Sequence, residues 1–115
     1  MNNCVRLYNN FVYTLDQCGT FLLNRCDDEI EYHLFEEFSI DCISFLHQKS
    51  LDVLLSVGMI NNEIFEKCLK LRTMYLAIEQ EHPEKMNVKS VREDVKWLEI
   101  LYLSDSIHSM LYYNI

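Results

Sequence analysis

The sequence of 115 residues contains only two glycines and one proline, and no hydrophobic run approaches the roughly 20 residues that a membrane-spanning helix requires. All-β sandwiches and barrels depend on many turns rich in glycine and proline, so the scarcity of both favours helices. Half of the residues are hydrophobic, which is enough to form a core, and the length is typical of one domain, here residues 1–115. We therefore expect a single-domain, all-α, up-down bundle of four to six helices.

A secretion signal and paired-cysteine motifs are also missing from the sequence. The first residues contain no basic stretch followed by an apolar block, so we expect a cytoplasmic protein. The cysteines are odd in number, form no Cys-x-x-Cys pair, and fall on or beside apolar stripes. This pattern indicates reduced thiols rather than disulfides or zinc ligands, and it applies to Cys4, Cys18, Cys26, Cys42 and Cys68.

Basic residues are scarce, and their distribution is uneven. Ten Lys and Arg residues face eighteen Asp and Glu residues, which gives a formal net charge of −8. Nucleic acids and anionic membranes require a basic surface, so this charge disfavours both as partners. Nearly all of the imbalance lies in residues 27–48, which include no Lys or Arg. The seven acidic residues of this segment are Asp27, Asp28, Glu29, Glu31, Glu36, Glu37 and Asp41.

A helical hairpin over residues 51–72 is the clearest local prediction. Gly58 follows an apolar-striped segment, at the position where a residue without a Cβ most cheaply adopts the left-handed conformation that ends a helix. Asn61 can then cap the next helix, which we expect to continue to about Gln80, before His82 and the proline that follows it.

Apolar residues at helical spacing predict two helices before this hairpin. The first covers residues 4–25, with Gly19 inside it at a kink or a close helix crossing. The second begins at an N-cap formed by Asp27 or Asp28, and it either breaks near Ser39 or continues to about residue 48.

Two further capping signals define the remaining helices. If the second helix is unbroken, Ser50 caps a third helix that ends before the hairpin turn. Ser90 and Glu93 form a capping-box pattern ahead of a last helix over residues 91–112. This last helix is apolar on two sides, so we expect it to be central or to present a face to a partner.

The histidines offer a candidate metal site that we weighed and rejected. His33 lies within helical reach of glutamates on both sides, and Asp105 precedes His108 by three residues. Di-iron bundles use a Glu-x-x-His motif from two helices with further inward-facing glutamates, whereas here the order or the residue type differs. We therefore predict no metal ligand, no cofactor and no catalytic residue, and a small metalloenzyme using His33 and His108 is the weakest alternative.

The acidic segment is the feature that best indicates a function. Helix-dipole effects explain its first acids but not those beyond the first turn. An acidic surface attracts a basic protein, and an exposed tyrosine beside it suits a protein interface. Tyr32, Tyr112 and Tyr113 are the tyrosines that we expect to be exposed. The predicted partner-binding residues are Asp28, Glu31, Tyr32, Glu36, Glu37 and Asp41.

The segment from Leu51 to Glu79, followed by the helix with Trp97, Leu98 and Glu99, resembles the all-helical immunity proteins of bacterial contact-dependent growth inhibition. The resemblance includes the Leu-rich helix, the Gly-Met-Ile-Asn-Asn-Glu turn, the Phe-Glu-Lys-Cys-Leu-Lys-Leu-Arg helix and the polar loop, and it covers about the C-terminal two thirds. It implies a cytoplasmic protein without enzymatic activity that neutralises one toxin, often a nuclease. It carries over no functional residue.

These observations predict an immunity protein, monomeric or weakly dimeric, whose acidic surface blocks a cognate basic toxin domain, most often a nuclease in such systems. The alternative is a helical homodimerisation or adaptor module, in which the doubly apolar last helix is the self-association face.

Overall fold

The structure, a computed structural model, describes residues 3–113 apart from the side chains of Tyr112 and Tyr113. This part of the chain forms six helices and two short 3₁₀ turns and contains no strand, which confirms an all-α, single-domain bundle. Helix α2, residues 27–45, is α-helical at Asp27–Ile30 and Ser39–Phe45 and π-helical at Glu31–Phe38 between them. The other helices are α1 Asn3–Asp16, α3 Gln48–Ser56, α4 Asn62–Glu81, α5 Val88–Glu93 and α6 Val95–Tyr113, and the 3₁₀ turns are Thr20–Asn24 and Pro83–Lys85.

The predicted hairpin turn between α3 and α4 is confirmed. Gly58 has a φ of 79° and donates its N–H to the Leu55 carbonyl, while Met59 donates to the Leu54 carbonyl at 3.0 Å. This pair of bonds is the Schellman arrangement, which satisfies the free carbonyls at a helix C-terminus. The side chain of Asn61 then accepts from the N–H of Ile64 at 2.9 Å, so α4 is capped as expected.

The expectation of one helix over 4–25 is wrong, because α1 ends at Asp16. The chain beyond it is held by α6 instead of by its own helical bonds. The Ser104 hydroxyl donates to the Cys18 carbonyl at 2.6 Å, and the Thr20 N–H donates to the carboxylate of Asp105 at 3.1 Å. The predicted close crossing at Gly19 is confirmed, since a Cβ there would lie 2.7 Å from the Asp105 carboxylate.

Two predicted N-caps are displaced by one to three residues. Cys26, rather than Asp27 or Asp28, is the N-cap of α2, so both aspartates lie inside its first turn. His47, rather than Ser50, caps α3 and accepts from the Lys49 N–H at 3.1 Å.

The capping box before the last helix is also wrong. Asn87 caps α5 by accepting from the Ser90 N–H at 2.9 Å, so Ser90 is inside a helix and does not cap one. The chain between α4 and α6 therefore contains the second 3₁₀ turn and α5, and Asp94 separates α5 from α6.

The buried stripe of α2 explains its π-helical turns. Four of its inward residues and its C-cap follow one another at intervals of four and are fully buried, namely Ile30, Leu34, Phe38, Cys42 and the C-cap Leu46. In a helix of 3.6 residues per turn each interval of four rotates by about 40°, so the stripe would drift around the helix. The wider π-helical turns reduce this drift and keep the stripe on the core, and α2 consequently runs through Ser39 without a break.

Helices α4 and α6 form the centre of the core. Trp97, Ile100, Ser104 and Ile107 are buried on α6, which confirms one of its two predicted apolar stripes as a packed face. The other stripe is not buried throughout, because Val95 is 65% and Tyr102 61% exposed.

Candidate protein-binding surface

Aromatic contacts fix α2 on the core and leave its opposite side exposed. The Phe38 ring packs edge-on against Tyr75 at 5.2 Å between centroids, and Phe35 packs against Trp97 at 5.8 Å. The Tyr75 hydroxyl donates to the Ser39 hydroxyl at 2.7 Å, and burial raises the pKa of Tyr75 to about 12. Because these contacts hold the helix along much of its length, its outer face is presented in a fixed orientation.

All six predicted partner-binding residues lie on the surface of α2, exposed or half-buried. We call this set the acidic face; it consists of Asp28, Glu31, Tyr32, Glu36, Glu37 and Asp41. No ion pair within residues 3–113 reaches any of its five carboxylates.

The two remaining acids of the segment behave differently. Asp27 pairs with Arg92 of α5 at 2.9 Å, and Glu29 lies 3.8 Å from Arg25. Arg92 and Arg25 therefore compensate two of the three acids in the first turn of α2 and leave the acidic face without an ion pair.

The π-helical segment brings the tyrosine and an acid of this face together. In a π-helix the residue five positions ahead lies one turn above, so Glu37 is stacked over Tyr32. A hydrogen bond to the Glu37 carboxylate, with the negative charge of that group, raises the pKa of Tyr32. In an α-helix these two side chains would point in different directions, so the contact depends on the local winding.

Sequence reasoning missed two aromatic residues that border the acidic face. Tyr13 of α1 is 45% exposed and lies close enough to Tyr32 to contribute to its raised pKa. Phe21 of the first 3₁₀ turn packs edge-on against His33, which in turn packs against Tyr32 at 5.3 Å. Both belong to segments that the sequence assigned to one continuous first helix, so no local signal placed them beside α2.

Asp41, at the other end of the acidic face, is half-buried. Burial, followed by the nearby charge of Glu37, raises the pKa of the Asp41 carboxyl. The charged form of Asp41 therefore lowers the stability of the folded protein. Within the described residues, no ion pair offsets this effect.

The histidines considered as metal ligands have other partners. The Nδ1 atom of His33 is 2.7 Å from the side-chain oxygen of Gln17. The two ring nitrogens of His108 lie 3.0 Å from the Ser104 carbonyl and 3.0 Å from the Asp16 carboxylate. Among residues 3–113, no three His, Cys, Asp or Glu side chains are grouped so that they could hold a metal ion.

A cleft of about 240 Å³ lies between α4 and α6. Its lining includes the apolar residues Met74, Ile78 and Ile100 and the oppositely charged Glu99 and Lys96. This mixed lining contrasts with the single sign of charge on the acidic face.

Comparison with known proteins gives no further assignment, since no family model, curated protein or solved structure matches the chain. Within residues 3–113, no helix is both long and apolar enough to cross a lipid bilayer.

Proposed function

We propose that this protein is a cytoplasmic immunity protein that binds and neutralises a cognate basic toxin domain through the acidic face of α2. The toxin class that we propose is a nuclease. The observation that carries the proposal is the set of five surface carboxylates that have no cation within the described chain. Like charges on one helix repel one another, so their retention favours a use in binding.

The chemistry of a nuclease matches such a surface. A domain that binds a phosphate backbone presents Lys and Arg side chains, and an acidic protein competes for the same groups. Charges of one sign on a rigid surface also accelerate association, because they attract the partner before contact. Inhibition by occupying the substrate groove requires no catalytic residue, and we propose none.

The aromatic border of the acidic face supports a protein partner. Tyrosine is enriched among residues that dominate interface energies, and cations of a partner can lie over its ring. Arg25 already adopts this kind of arrangement within the protein, with its guanidinium 6.0 Å from the centre of the Phe21 ring. Tyr32 and Tyr13 remain open to an incoming Lys or Arg side chain.

Co-expression with a toxin domain tests this function. The probe is the basic C-terminal domain of a large secreted protein encoded beside the gene for this chain, produced in a bacterial host. We expect the wild-type chain to restore growth and to co-purify with the domain. The absence of such a neighbouring gene, or growth arrest despite co-expression, would refute the proposal.

Charge-reversal variants test whether the acidic face is the surface that binds the toxin domain. Glu36→Lys with Glu37→Lys should slow association and reduce its dependence on salt. The matched control is Glu66→Lys with Glu93→Lys, which changes the total charge equally at exposed positions on α4 and α5. Equal effects of the two double variants would show that net charge, and not the acidic face, drives binding.

A homodimerisation or adaptor module is the second candidate, and the exposure of Val95 and Tyr102 on α6 favours it. Sedimentation velocity over a range of concentrations separates the two functions. A dimer that is lost in Val95→Gln with Tyr102→Gln would support the adaptor, whereas a monomer at all concentrations would exclude self-association.

A further inference from the structure

Two isoleucines on α2 are exposed to a degree that the fold does not require. Ile40 is 68% and Ile43 52% exposed, whereas Ile30 on the same helix is fully buried. They are three residues apart in the α-helical part of α2, so they lie side by side on one surface. We call them the isoleucine pair. Isoleucine is among the residues most often buried, so two of them on one exposed turn form a small apolar patch of the kind that an interface can bury.

Carboxylates lie on the N-terminal side of the isoleucine pair. Glu36 and Glu37 are one turn before Ile40, and Asp41 follows Ile40 directly in the chain. The arrangement places an apolar patch next to polar groups that remain accessible, as at the boundary between the centre and the edge of an interface.

The charges determine which occupant fits. A second copy of this chain, related by a two-fold axis, would place the same surface opposite itself and bring like carboxylates together. A partner with Lys and Arg around an apolar recess would instead neutralise the carboxylates while the isoleucines lose their contact with water.

We infer that the isoleucine pair is the apolar anchor of the acidic face, and that it docks into an apolar recess bordered by Lys or Arg on a different, basic protein chain. The inference depends on the proposed function only in that the partner is basic. Burial of both isoleucines supplies affinity and slows dissociation, whereas the neighbouring carboxylates set the rate of association.

A peptide probe tests the anchor without any toxin. The probe is a short fluorescent amphipathic peptide with leucine on one helical face and lysine on the other, titrated into the full chain by fluorescence anisotropy. Two reference peptides replace either every lysine by glutamate or every leucine by serine. We expect the leucine–lysine peptide to bind and both reference peptides to bind at least tenfold more weakly, an effect on the order of that produced by losing an interface anchor.

The variants make the test specific. Ile40→Gln with Ile43→Gln should weaken binding of the leucine–lysine peptide by about tenfold. Val95→Gln is the matched control, because Val95 is equally exposed on α6, and it should leave the affinity unchanged. Circular dichroism should show both variants folded, since all three positions face solvent.

Three results would overturn the inference: no binding of the leucine–lysine peptide, equal losses in the isoleucine and Val95 variants, or a homodimer that the isoleucine substitutions dissolve. None of these results decides the outcome of the co-expression experiment. A toxin can still be neutralised there through an interface made by carboxylates alone. Failure of the anchor is thereby distinguished from failure of the proposed function.

Discussion

Glu37 lies five residues after Tyr32 and close enough to raise the pKa of its hydroxyl, because α2 is π-helical where they lie. Segments of this kind are often retained at functional sites, since they cost regular hydrogen-bond geometry. Here the π-helical segment affects both the buried side and the exposed side of α2. It keeps the buried stripe with Leu34 and Phe38 on the core, and it places an exposed tyrosine against a carboxylate on the outside.

The first prediction concerns the titration of Tyr32. The pKa of Tyr32 is raised in the folded protein by Glu37, so the contribution of its protonated hydroxyl to stability is complete below the unfolded pKa of about 10 and is lost as the pH rises through the higher folded pKa. Glu37→Gln should return the Tyr32 titration toward lower pH. NMR titration of the Tyr32 ring protons measures this shift, and Tyr102, which is exposed on α6, provides the internal reference. An unchanged titration of Tyr32 would contradict the contact.

The second prediction is that Asp41→Asn stabilises the protein at neutral pH. Burial raises the folded pKa of Asp41, so the charged form destabilises the fold, and this cost grows as the pH rises through that pKa. The variant should have a higher melting temperature at pH 7, and the difference should vanish below the unfolded pKa of about 3.8.

Asp28→Asn is the control for this experiment. Asp28 is exposed in the first turn of α2, where a negative charge is favourable to the helix dipole by about 0.3–1 kcal/mol. Its replacement should lower the melting temperature at pH 7. The Asp41 result would be refuted if both substitutions changed stability in the same direction.

The third prediction concerns the crossing of Gly19 and α6. Gly19→Ala places a Cβ against the Asp105 carboxylate, which cannot move freely because it accepts hydrogen bonds from both the N–H and the hydroxyl of Thr20. We expect a loss of about 1–3 kcal/mol in the free energy of unfolding. In the Asp105→Ala background the same substitution should cost much less, and a double-mutant cycle measured by urea denaturation gives the coupling.

Gly58→Ala is a useful comparison for that cycle. No atom lies within 4 Å of the added Cβ, but the φ of 79° makes the backbone conformation costly for alanine, by about 1–2 kcal/mol. Because this cost is a local strain, it should be independent of Asp105. Coupling between Gly58 and Asp105 as large as that of Gly19 would contradict the contact on α6.

The fourth prediction concerns thiol reactivity in a Cys4→Ser background. Cys26 is exposed, whereas Cys18, Cys42 and Cys68 are buried, and burial raises the pKa of the Cys42 and Cys68 thiols to about 12 each. Because the thiolate is the reactive form, we expect one thiol to react rapidly with a chromogenic disulfide reagent and three only after unfolding. Cys26→Ser should remove the fast phase, and a remaining fast phase would show that the core opens readily.

Local sequence signals predicted the elements whose geometry is decided locally. Gly58 and Asn61 illustrate this, because a left-handed residue and an N-cap need only their own neighbours in the chain. The end of α1 could not be predicted in the same way. It depends on Ser104 and Asp105, more than eighty residues away, which bind backbone groups that the helix would otherwise satisfy.

The sequence predicts which charged residues form the candidate surface, but it does not predict how they are arranged or paired. A run of seven acids without a cation identified α2, yet only the fold shows that Arg92 and Arg25 compensate two of them. The isoleucine pair was overlooked because the stripe of α2 was assigned by its buried members. The regular interval of four between those members was the available signal for the π-helical turns. Tyr112 and Tyr113, expected to be exposed, lie outside the side chains that the structure describes.

The strict division of α2 into a packed side and an open side has an evolutionary consequence. Residues such as Glu36, Ile40 and Ile43 make no contribution to the interior, so substitutions there leave folding almost untouched. Lineages can therefore exchange these outward positions rapidly and acquire new recognition while the inner positions stay constant. Comparing related genes should reveal high diversity on one side of this single helix and near-constancy on the other.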